Sequence, residues 1–323
     1  MADLEVRRDD LRATRVVDGA EGNVRVDRFA LTANNVTYGV LGDSLGYWQF
    51  FPASGEGWGR VPVWGIAEVL ETGEWIYGYF PMSSSVTMTL DEKLFERSEH
   101  RSGLPATYNR YMRMAPDTPY LDEMLILRPL FGTSFLLSDF LDGDGSTVVL
   151  GSASSKTAYG LAFLLDRRVV GLTSSRNREF VESLGVYDRV LTYDEIAGLG
   201  EEDGPVTFVD MSGDPKVREG VHAAAEVGRD VTVGATHWEQ LPGALDEAGG
   251  EFFFAPTHME QMHERLGGGE LMKRMGEAWV ALMGRVGDWM TIERAQGPEA
   301  VERVWRSLVD GDVDPHVGHV VSL

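Results

Sequence analysis

The strongest constraint on the fold lies at residues 147–193, where short apolar runs surround one loop of small residues. A β-branched run at 147–150 is followed by the loop Gly-Ser-Ala-Ser-Ser-Lys-Thr at 151–157, an apolar segment at 158–165 and a second run at 168–172. The order of run, loop, helical segment and run predicts a βαβ unit with two parallel strands. The chain is therefore expected to contain an α/β domain.

The loop of this unit is a candidate phosphate site. It lies where a strand ends and a helix begins, and the backbone N–H groups and dipole of a helix N-terminus favour a phosphate. The glycine pattern G-x-G-x-x-G is absent, and Gly151, Ser154 and either Ala158 or Gly160 only approximate it. The alternative interpretation is a solvated loop with a good helix cap.

The end of the second strand indicates which dinucleotide such a site would prefer. Ser174, Ser175 and Arg176 follow this strand, and no carboxylate stands where an NAD-binding chain usually has an acidic residue. Arginine suits the bidentate recognition of a phosphate. If the domain binds a dinucleotide, NADP is therefore expected rather than NAD.

Later predicted strands also end in small or polar residues. The strand predicted at 206–213 ends in Asp210, Met211, Ser212 and Gly213, and the one predicted at 230–238 contains Gly234, Ala235 and Thr236 near its end. Ligands of open α/β sheets bind at the carboxyl ends of the strands, so these endings predict one shared cleft. His237 follows the last of them, either as a general acid or as a structural histidine.

Composition excludes several functional classes. The 323 residues carry a net charge of −22, which repels nucleic acid and anionic membranes. The sequence has no cysteine, so disulfides, thiolate zinc sites and a cysteine nucleophile are excluded. No segment has the length and apolarity of a membrane span, and the charged N-terminal residues lack an apolar signal core. We expect a cytoplasmic protein of about two domains.

The N-terminal third has the pattern of a β domain. Apolar and charged residues alternate at 23–28, and two β-forming runs at 61–71 and 75–81 surround a turn. Glycines among β-forming residues suit a compact barrel. The aromatic residues at 39–52 are expected to belong mainly to the core. The alternative is a substrate-pocket wall, and its polar groups would be Asn34, Asn35 and Tyr38.

Three further segments carry structural predictions. The apolar stretch 121–141 predicts a pair of helices with Pro129 at the start of the second, and residues 258–287 predict helices interrupted by the glycines 267–269. The apolar residues 252–254 predict a strand. This strand is either an edge strand that pairs with a second copy of the chain or a buried core strand.

Three short patterns are similar to catalytic motifs but do not meet their spacing. His258 and His263 are five residues apart, and no glutamate follows the first, so they do not match a zinc-protease helix. The run from Ser154 to Thr157 lacks the preceding glycine spacing of a P-loop. Ser155 and Lys156 could form a hydrolase pair if the lysine were desolvated, but a lysine facing a phosphate is the simpler interpretation.

Four segments together resemble the medium-chain dehydrogenase/reductase superfamily, in its zinc-free quinone oxidoreductase and enoyl reductase branch. They are LTANNVTY at 31–38, the barrel-like runs at 63–69 and 76–78, the βαβ stretch at 147–193, and GHVV at 318–321. The chain resembles the DUF2855 family still more closely. This resemblance covers nearly the whole sequence.

The resemblance implies an α/β fold with a GroES-like β-barrel domain at 1–125, a Rossmann domain with a doubly wound parallel sheet at 126–290, and a C-terminal return to the barrel domain at 291–323. It implies an NADPH-dependent oxidoreductase that reduces an activated C=C or C=O bond of an enone, quinone or enoyl thioester, without a catalytic metal. The alternatives are non-redox lyase or hydrolase chemistry on the same fold, and a non-catalytic NADPH-binding module.

The resemblance also implies roles for residues and partners. Tyr38 would hydrogen bond the substrate oxygen or donate a proton, with Asn34 or Asn35 as orienting groups. The partners would be a small-molecule substrate and a second copy of the chain. The residues expected to bind NADP are Ser152, Ser154, Ser155, Lys156, Thr157, Ser174, Arg176, Arg178, Tyr193, Asp210, Ser212, Gly213, Gly234 and Thr236.

Overall fold

A computed structural model describes residues 1–143, 145–233 and 250–323. The chain divides into two compact units, one formed by Met1–Pro129 with Thr291–Leu323 and the other by Leu130–Met290. The strands described are β1 (Ala2–Arg7), β2 (Thr14–Asp18), β3 (Val24–Leu31), β4 (Trp58–Gly59), β5 (Pro62–Val69), β6 (Glu74–Pro81), β7 (Ser85–Val86), β8 (Met112–Arg113), β9 (Thr147–Leu150), β10 (Val169–Thr173), β11 (Arg189–Thr192), β12 (Val206–Asp210), β13 (Val227–Val233), β14 (Glu251–Phe253), β15 (Thr291–Gln296) and β16 (Val317–Ser322).

The helices alternate with the strands in the second unit and are fewer in the first. The α-helices described are α1 (Ala33–Val40), α2 (Tyr47–Phe50), α3 (Leu121–Phe140), α4 (Lys156–Leu164), α5 (Arg178–Ser183), α6 (Pro215–Ala224), α7 (Ala255–Leu266), α8 (Gly268–Trp289) and α9 (Pro298–Val309). Short 3-10 helices occupy Glu99–Arg101, Ala106–Asn109, Ser175–Asn177 and Tyr193–Glu201. Within the described residues, no helix is long and apolar enough to cross a membrane.

The first unit is built on two β-sheets. Its larger sheet has the strand order β15-β16-β3-β5-β6-β8, with β7 paired to β3, and its smaller sheet has the order β2-β1-β4. The predicted hairpin is confirmed as β5 and β6, which pair antiparallel from Pro62↔Pro81 to Val69↔Glu74. Gly73 has a φ of +69°, a left-handed conformation that glycine adopts without steric cost and that allows the tight turn between these strands.

Within the described residues, the second unit contains a six-stranded parallel sheet with the order β11-β10-β9-β12-β13-β14. The predicted βαβ unit is confirmed as β9, α4 and β10. The chain starts at the central strand β9, proceeds to one edge and then returns to build the other half. The sheet is thus doubly wound, and its topological switch point lies between β9 and β12, where such sheets bind ligands.

The central strands β9, β10 and β12 of this sheet are mainly apolar, as expected for parallel strands that are covered on both faces. All five residues of β10 and all five of β12 are buried. Val149, Val170 and Phe208 belong to one buried cluster that also includes side chains from the flanking helices. Each fully buried side chain of this kind contributes about 1.5–3 kcal/mol relative to exposure. The predicted α/β fold class, with a β-sheet domain and a parallel-sheet domain, is confirmed.

One helical prediction was wrong. The stretch predicted to form two helices is the single helix α3, and Pro129 lies inside it. A proline in a helix interior costs about 3 kcal/mol because it removes one backbone hydrogen bond and crowds the preceding turn. Leu127 and Leu130 on either side of the proline are buried. Burial of the surrounding apolar residues offsets this cost, so the helix continues.

Candidate functional site

The loop between β9 and α4 closes in a tight turn before the helix begins. The Ser155 N–H donates to the Ser152 carbonyl at 2.8 Å, and the Ser155 Oγ accepts the Ala158 N–H at 3.2 Å as a helix cap. Ser152 has a φ of +56°, a left-handed conformation that costs a non-glycine residue about 1 kcal/mol. The predicted serine-rich loop therefore leads directly into a capped helix N-terminus.

Neighbouring strands hold this loop in place. The Gly151 N–H donates to the Val209 carbonyl on β12 at 3.0 Å, and the Ala153 N–H donates to the Leu172 carbonyl on β10 at 2.9 Å. The Tyr187 hydroxyl donates to the Ala153 carbonyl at 2.8 Å. Since these contacts come from both sides of β9, the loop is anchored at the switch point of the sheet.

Gly171 on β10 makes this close approach possible. A Cβ at this position would lie 2.9 Å from the Ala153 Cβ and 2.9 Å from the Tyr187 ring. We therefore expect Gly171→Ala to lower the free energy of unfolding by about 1–3 kcal/mol, as overpacking does in well-packed interiors. Urea unfolding followed by circular dichroism measures this change.

The matched control for this substitution is Gly151→Ala in the same region. A Cβ at Gly151 would have its nearest contact at 3.6 Å, an ordinary van der Waals distance. We expect the free energy of unfolding of this variant to change by less than about 0.5 kcal/mol. Equal destabilisation by both substitutions would contradict a specific close contact at Gly171.

The structure brings the loop and the end of β10 together. The Asn177 Nδ2 donates to the Ser154 Oγ at 3.1 Å, which connects the loop to the 3-10 helix that follows Ser174. Ser174 is half-buried and Arg176 is exposed at this edge of the sheet. The predicted phosphate loop and the predicted arginine tip are therefore neighbours.

Arg178 is already engaged by carboxylates of its own chain. Its Nη1 donates to both Glu195 oxygens, at 2.8 and 2.7 Å, and its Nε donates to Glu182 at 2.9 Å. Hydrogen bonds to Glu195 and then Glu182 raise the pKa of Arg178. A phosphate at Arg178 would therefore compete with these two carboxylates.

Tyr193 lies on the other side of the loop. Burial raises the pKa of the Tyr193 phenol, and a hydrogen bond with the Ser152 backbone acts in the opposite direction. Its predicted place beside the cofactor stays a prediction. Its contact with the loop shows that the 3-10 helix directly after β11 also contributes to the surroundings of this turn.

The residues that follow β12 hydrogen bond among themselves. The Asp210 Oδ1 accepts the Ser212 N–H at 2.9 Å, the Ser212 hydroxyl at 2.8 Å and the Gly213 N–H at 2.9 Å. Gly213 has a φ of +66°, which the turn requires. At this part of the predicted cofactor site, Asp210, Ser212 and Gly213 therefore form a turn held by its own hydrogen bonds. Gly234, Thr236 and His237 lie outside the described residues.

In the first unit, Asn35 has a structural position. Its Oδ1 accepts the Thr32 N–H at 2.8 Å, and its Nδ2 donates to the Pro62 carbonyl at 3.0 Å. The side chain is buried. The amide oxygen therefore helps to start α1, and the amide nitrogen joins this helix to β5. Asn35 thus has a structural role in the first unit.

Tyr38 lies on α1 in a buried aromatic environment and is 5% exposed. Its Oη accepts the Trp64 indole N–H at 3.2 Å. Burial raises the pKa of the Tyr38 phenol, the nearby Tyr47 adds to this rise, and hydrogen bonds with Trp64 and Asn34 lower it. Because the raised pKa dominates, the phenol keeps its proton at neutral pH and can donate a hydrogen bond.

A tyrosine cluster surrounds this phenol. Ring centroids lie 4.6 Å apart for Tyr38 and Tyr47, 5.5 Å for Tyr38 and Tyr79, and 4.7 Å for Tyr79 and Tyr108. The Tyr47 and Tyr108 hydroxyls are 3.3 Å apart. The sequence does not predict that Trp64 and Tyr108 pack with Tyr38, because they come from distant segments and no local pattern connects them to it.

The sequence matches the family described as "Protein of unknown function (DUF2855)" over residues 29–314. The chain belongs to the DUF2855 family. No curated protein matches it. In the part of this DUF2855 protein that the structure describes, no group of three or more histidine, aspartate or glutamate side chains is arranged to hold a metal ion.

Several solved structures share the fold over their whole length. CurA from Vibrio vulnificus, in complex with NADPH, is 13% identical with a TM-score of 0.64, covering 100% of this chain and 99% of that one. The yhdH oxidoreductase from Salmonella enterica, in complex with NADP, is 15% identical with a TM-score of 0.54 and 100% coverage of both chains. CurK enoyl reductase is 14% identical with a TM-score of 0.56, covering 99% and 98%. The fold predicted from the superfamily resemblance is confirmed.

Proposed function

We propose that this DUF2855 protein is an NADPH-dependent oxidoreductase that reduces an activated C=C or C=O bond. The single observation that carries the proposal is the hydrogen bond from Asn177 to Ser154. It joins a capped helix N-terminus at the switch point to the strand end that bears Arg176. Proteins of the same fold, CurA and yhdH, were crystallised with NADPH and NADP, which supports the choice of cofactor.

The residues present fit a phosphorylated dinucleotide. The first turn of α4 supplies backbone N–H groups and the positive end of a helix dipole, and Lys156 adds a positive charge. The Thr173 Oγ1 is buried without a hydrogen-bond partner among the described residues. Because side chains two residues apart share a strand face, Thr173 lies on the face of β10 that Gly171 presents to the loop. A polar ligand on this face would satisfy that hydroxyl.

When bound, NADPH supplies the hydride, and the chain supplies orientation and a proton. We assign Tyr38 to donate a hydrogen bond to the substrate oxygen, since its phenol is protonated at neutral pH. Asn34 lies four residues before Tyr38 on α1, where side chains share a helix face, and we assign it as the orienting group. Asn35 has an indirect role, because its side-chain amide joins α1, which carries Tyr38, to the Pro62 carbonyl of β5. The substrate class comprises enones, quinones and enoyl thioesters, in which reduction places negative charge on an oxygen.

Titration with NADPH tests this proposal directly. We expect NADPH to bind with a dissociation constant in the micromolar range, as for typical cofactor and substrate sites, and to bind more tightly than NADH. Isothermal titration calorimetry measures both constants. Absence of binding at millimolar NADPH would overturn the proposed function. If NADPH binds, its oxidation in the presence of benzoquinone or cyclohexenone, followed by nicotinamide absorbance, establishes turnover.

A second candidate is a non-catalytic NADPH-binding module. The observation in its favour is the burial of Tyr38, which is 5% exposed behind other aromatic rings. This candidate predicts tight NADPH binding without turnover of any enone, quinone or enoyl thioester. Non-redox lyase or hydrolase chemistry on this fold would instead convert a substrate with no change in nicotinamide absorbance.

The homodimer and the cytoplasmic location stay predictions. Among the described strands, β14 ends the strand order of the parallel sheet and pairs with β13 alone. Phe252 on this strand is 37% exposed while Phe253 is buried. An edge strand of this kind presents backbone groups that a second copy of the chain can pair with.

A further inference from the structure

The hydrogen bond between Trp64 and Tyr38 has a fixed direction. The Trp64 Nε1 lies 3.2 Å from the Tyr38 Oη, and an indole nitrogen can only donate a hydrogen bond. The Tyr38 oxygen must therefore accept, and this contact leaves the phenol's own proton for another acceptor. By contrast, either hydroxyl of Tyr47 and Tyr108 can be the donor in their contact, so that pair sets no direction.

Stacking holds the indole ring in one orientation. Trp64 stacks on Tyr77 with ring centroids 5.6 Å apart and an angle of 22° between the planes, and it contacts Tyr79 at 5.2 Å. The Arg128 guanidinium lies 5.6 Å from the Tyr77 ring centroid, beside the same stack. Since the ring is held by its neighbours, its N–H group points at a defined position, as a preorganised donor must.

Tyr38 is held from its other sides as well. Its ring packs against Tyr47 and Tyr79, with centroids at 4.6 and 5.5 Å. With the ring held in this way, the hydrogen bond from the Trp64 indole keeps the Tyr38 oxygen in the position of an acceptor.

We propose that Trp64 is a positioning residue that makes Tyr38 a hydrogen-bond donor toward the substrate oxygen. Because the tyrosine oxygen is occupied by the indole N–H, the tyrosine proton is directed to the substrate. This inference rests on the proposed reductase function. It predicts that the contribution of Trp64 to turnover depends entirely on the hydroxyl group of Tyr38.

The test is a double-mutant cycle with Trp64→Phe and Tyr38→Phe. Phenylalanine keeps an aromatic ring for stacking and removes the N–H donor. We expect Trp64→Phe to lower kcat about tenfold, the value of one well-placed hydrogen bond, with little change in KM for benzoquinone or cyclohexenone. In the Tyr38→Phe background the same substitution should change kcat less than about twofold.

The matched control is Trp75→Phe, which removes an indole from the same hairpin. Trp75 is half-buried on β6, where its register partner is Glu68. This control should leave kcat and KM unchanged. Equal losses of kcat from Trp64→Phe in both Tyr38 backgrounds would show that Trp64 acts through ring packing, and would overturn the inference while leaving the reductase function standing.

A measurement on the unliganded protein separates the inference from the proposed function. The sequence has 8 tryptophans, so the Trp64 indole N–H resonance can be assigned by its loss in Trp64→Phe. We expect this resonance to shift in Tyr38→Phe more than the Trp75 resonance does. An unshifted resonance would overturn the inference. A shifted resonance in a protein that oxidises no NADPH would overturn the proposed function, and with it the catalytic use of this contact.

Discussion

Tyr38→Phe is expected to lower kcat for NADPH-dependent reduction about 100-fold, the loss typical of removing one preorganised donor to a developing oxyanion. The phenol proton that would stabilise charge on the substrate oxygen is absent in this variant. The ring is retained, and it packs against Tyr47 and Tyr79, so the fold should be preserved. The dissociation constant of NADPH should stay unchanged, because Tyr38 is not among the residues predicted to bind the cofactor.

Steady-state kinetics with benzoquinone or cyclohexenone, together with calorimetric titration of NADPH, measures both quantities. Tyr120→Phe is the control, since it makes the same chemical change at a tyrosine that is 68% exposed, and it should change neither. A kcat for Tyr38→Phe within about twofold of the original value would exclude Tyr38 as the principal donor. A large rise in the NADPH constant would show that the substitution acts on the cofactor instead.

The second large effect is expected at the end of β10. The double substitution Ser174→Ala with Arg176→Ala should raise the NADPH dissociation constant about 10–100-fold, because hydrogen bonds to charged groups contribute about 1.5–3 kcal/mol. NADH has no 2′-phosphate, so its constant should change less than about twofold if these residues act only on that phosphate. Calorimetric titration with the two cofactors gives the ratio directly.

Arg178→Ala is the informative comparison, because Glu195 and Glu182 already bind this guanidinium. We expect it to raise the NADPH constant less than Arg176→Ala does. A larger effect at Arg178 would place the 2′-phosphate there and would require the two carboxylates to be displaced. Equal weakening of NADPH and NADH binding by the double substitution would contradict a 2′-phosphate site at this strand end.

The parallel-sheet domain could be predicted from sequence because its signals are local. The runs that became β9 and β10 are continuous and apolar, as strands covered on both faces must be. The loop between them carries a serine that caps the next helix. The β5–β6 hairpin was predictable for the same reason, since a turn with Gly73 separates two β-forming runs. Such patterns act within a few residues and do not depend on the rest of the fold.

Other elements depend on packing that a local pattern does not contain. β15 was not predicted because its residues, Thr291–Gln296, lack an alternating apolar pattern, and it forms by parallel pairing with β16. Helix α3 continues through Pro129 because buried neighbours offset the local cost. In both cases the tertiary environment overrides the intrinsic preference of the segment.

The sequence alone determined the β9–α4–β10 unit, the β5–β6 hairpin, the serine-rich loop, and the residue types available to bind a phosphorylated dinucleotide. Only the tertiary structure decided how those residues are used. In the folded chain, Asn177 hydrogen bonds to Ser154 and Arg178 hydrogen bonds to Glu195. The Asn35 amide joins α1 to β5, and the Trp64 indole donates to the Tyr38 oxygen. The reason is that hydrogen bonds between distant segments depend on strand register and side-chain packing, which exist only once the whole domain has folded.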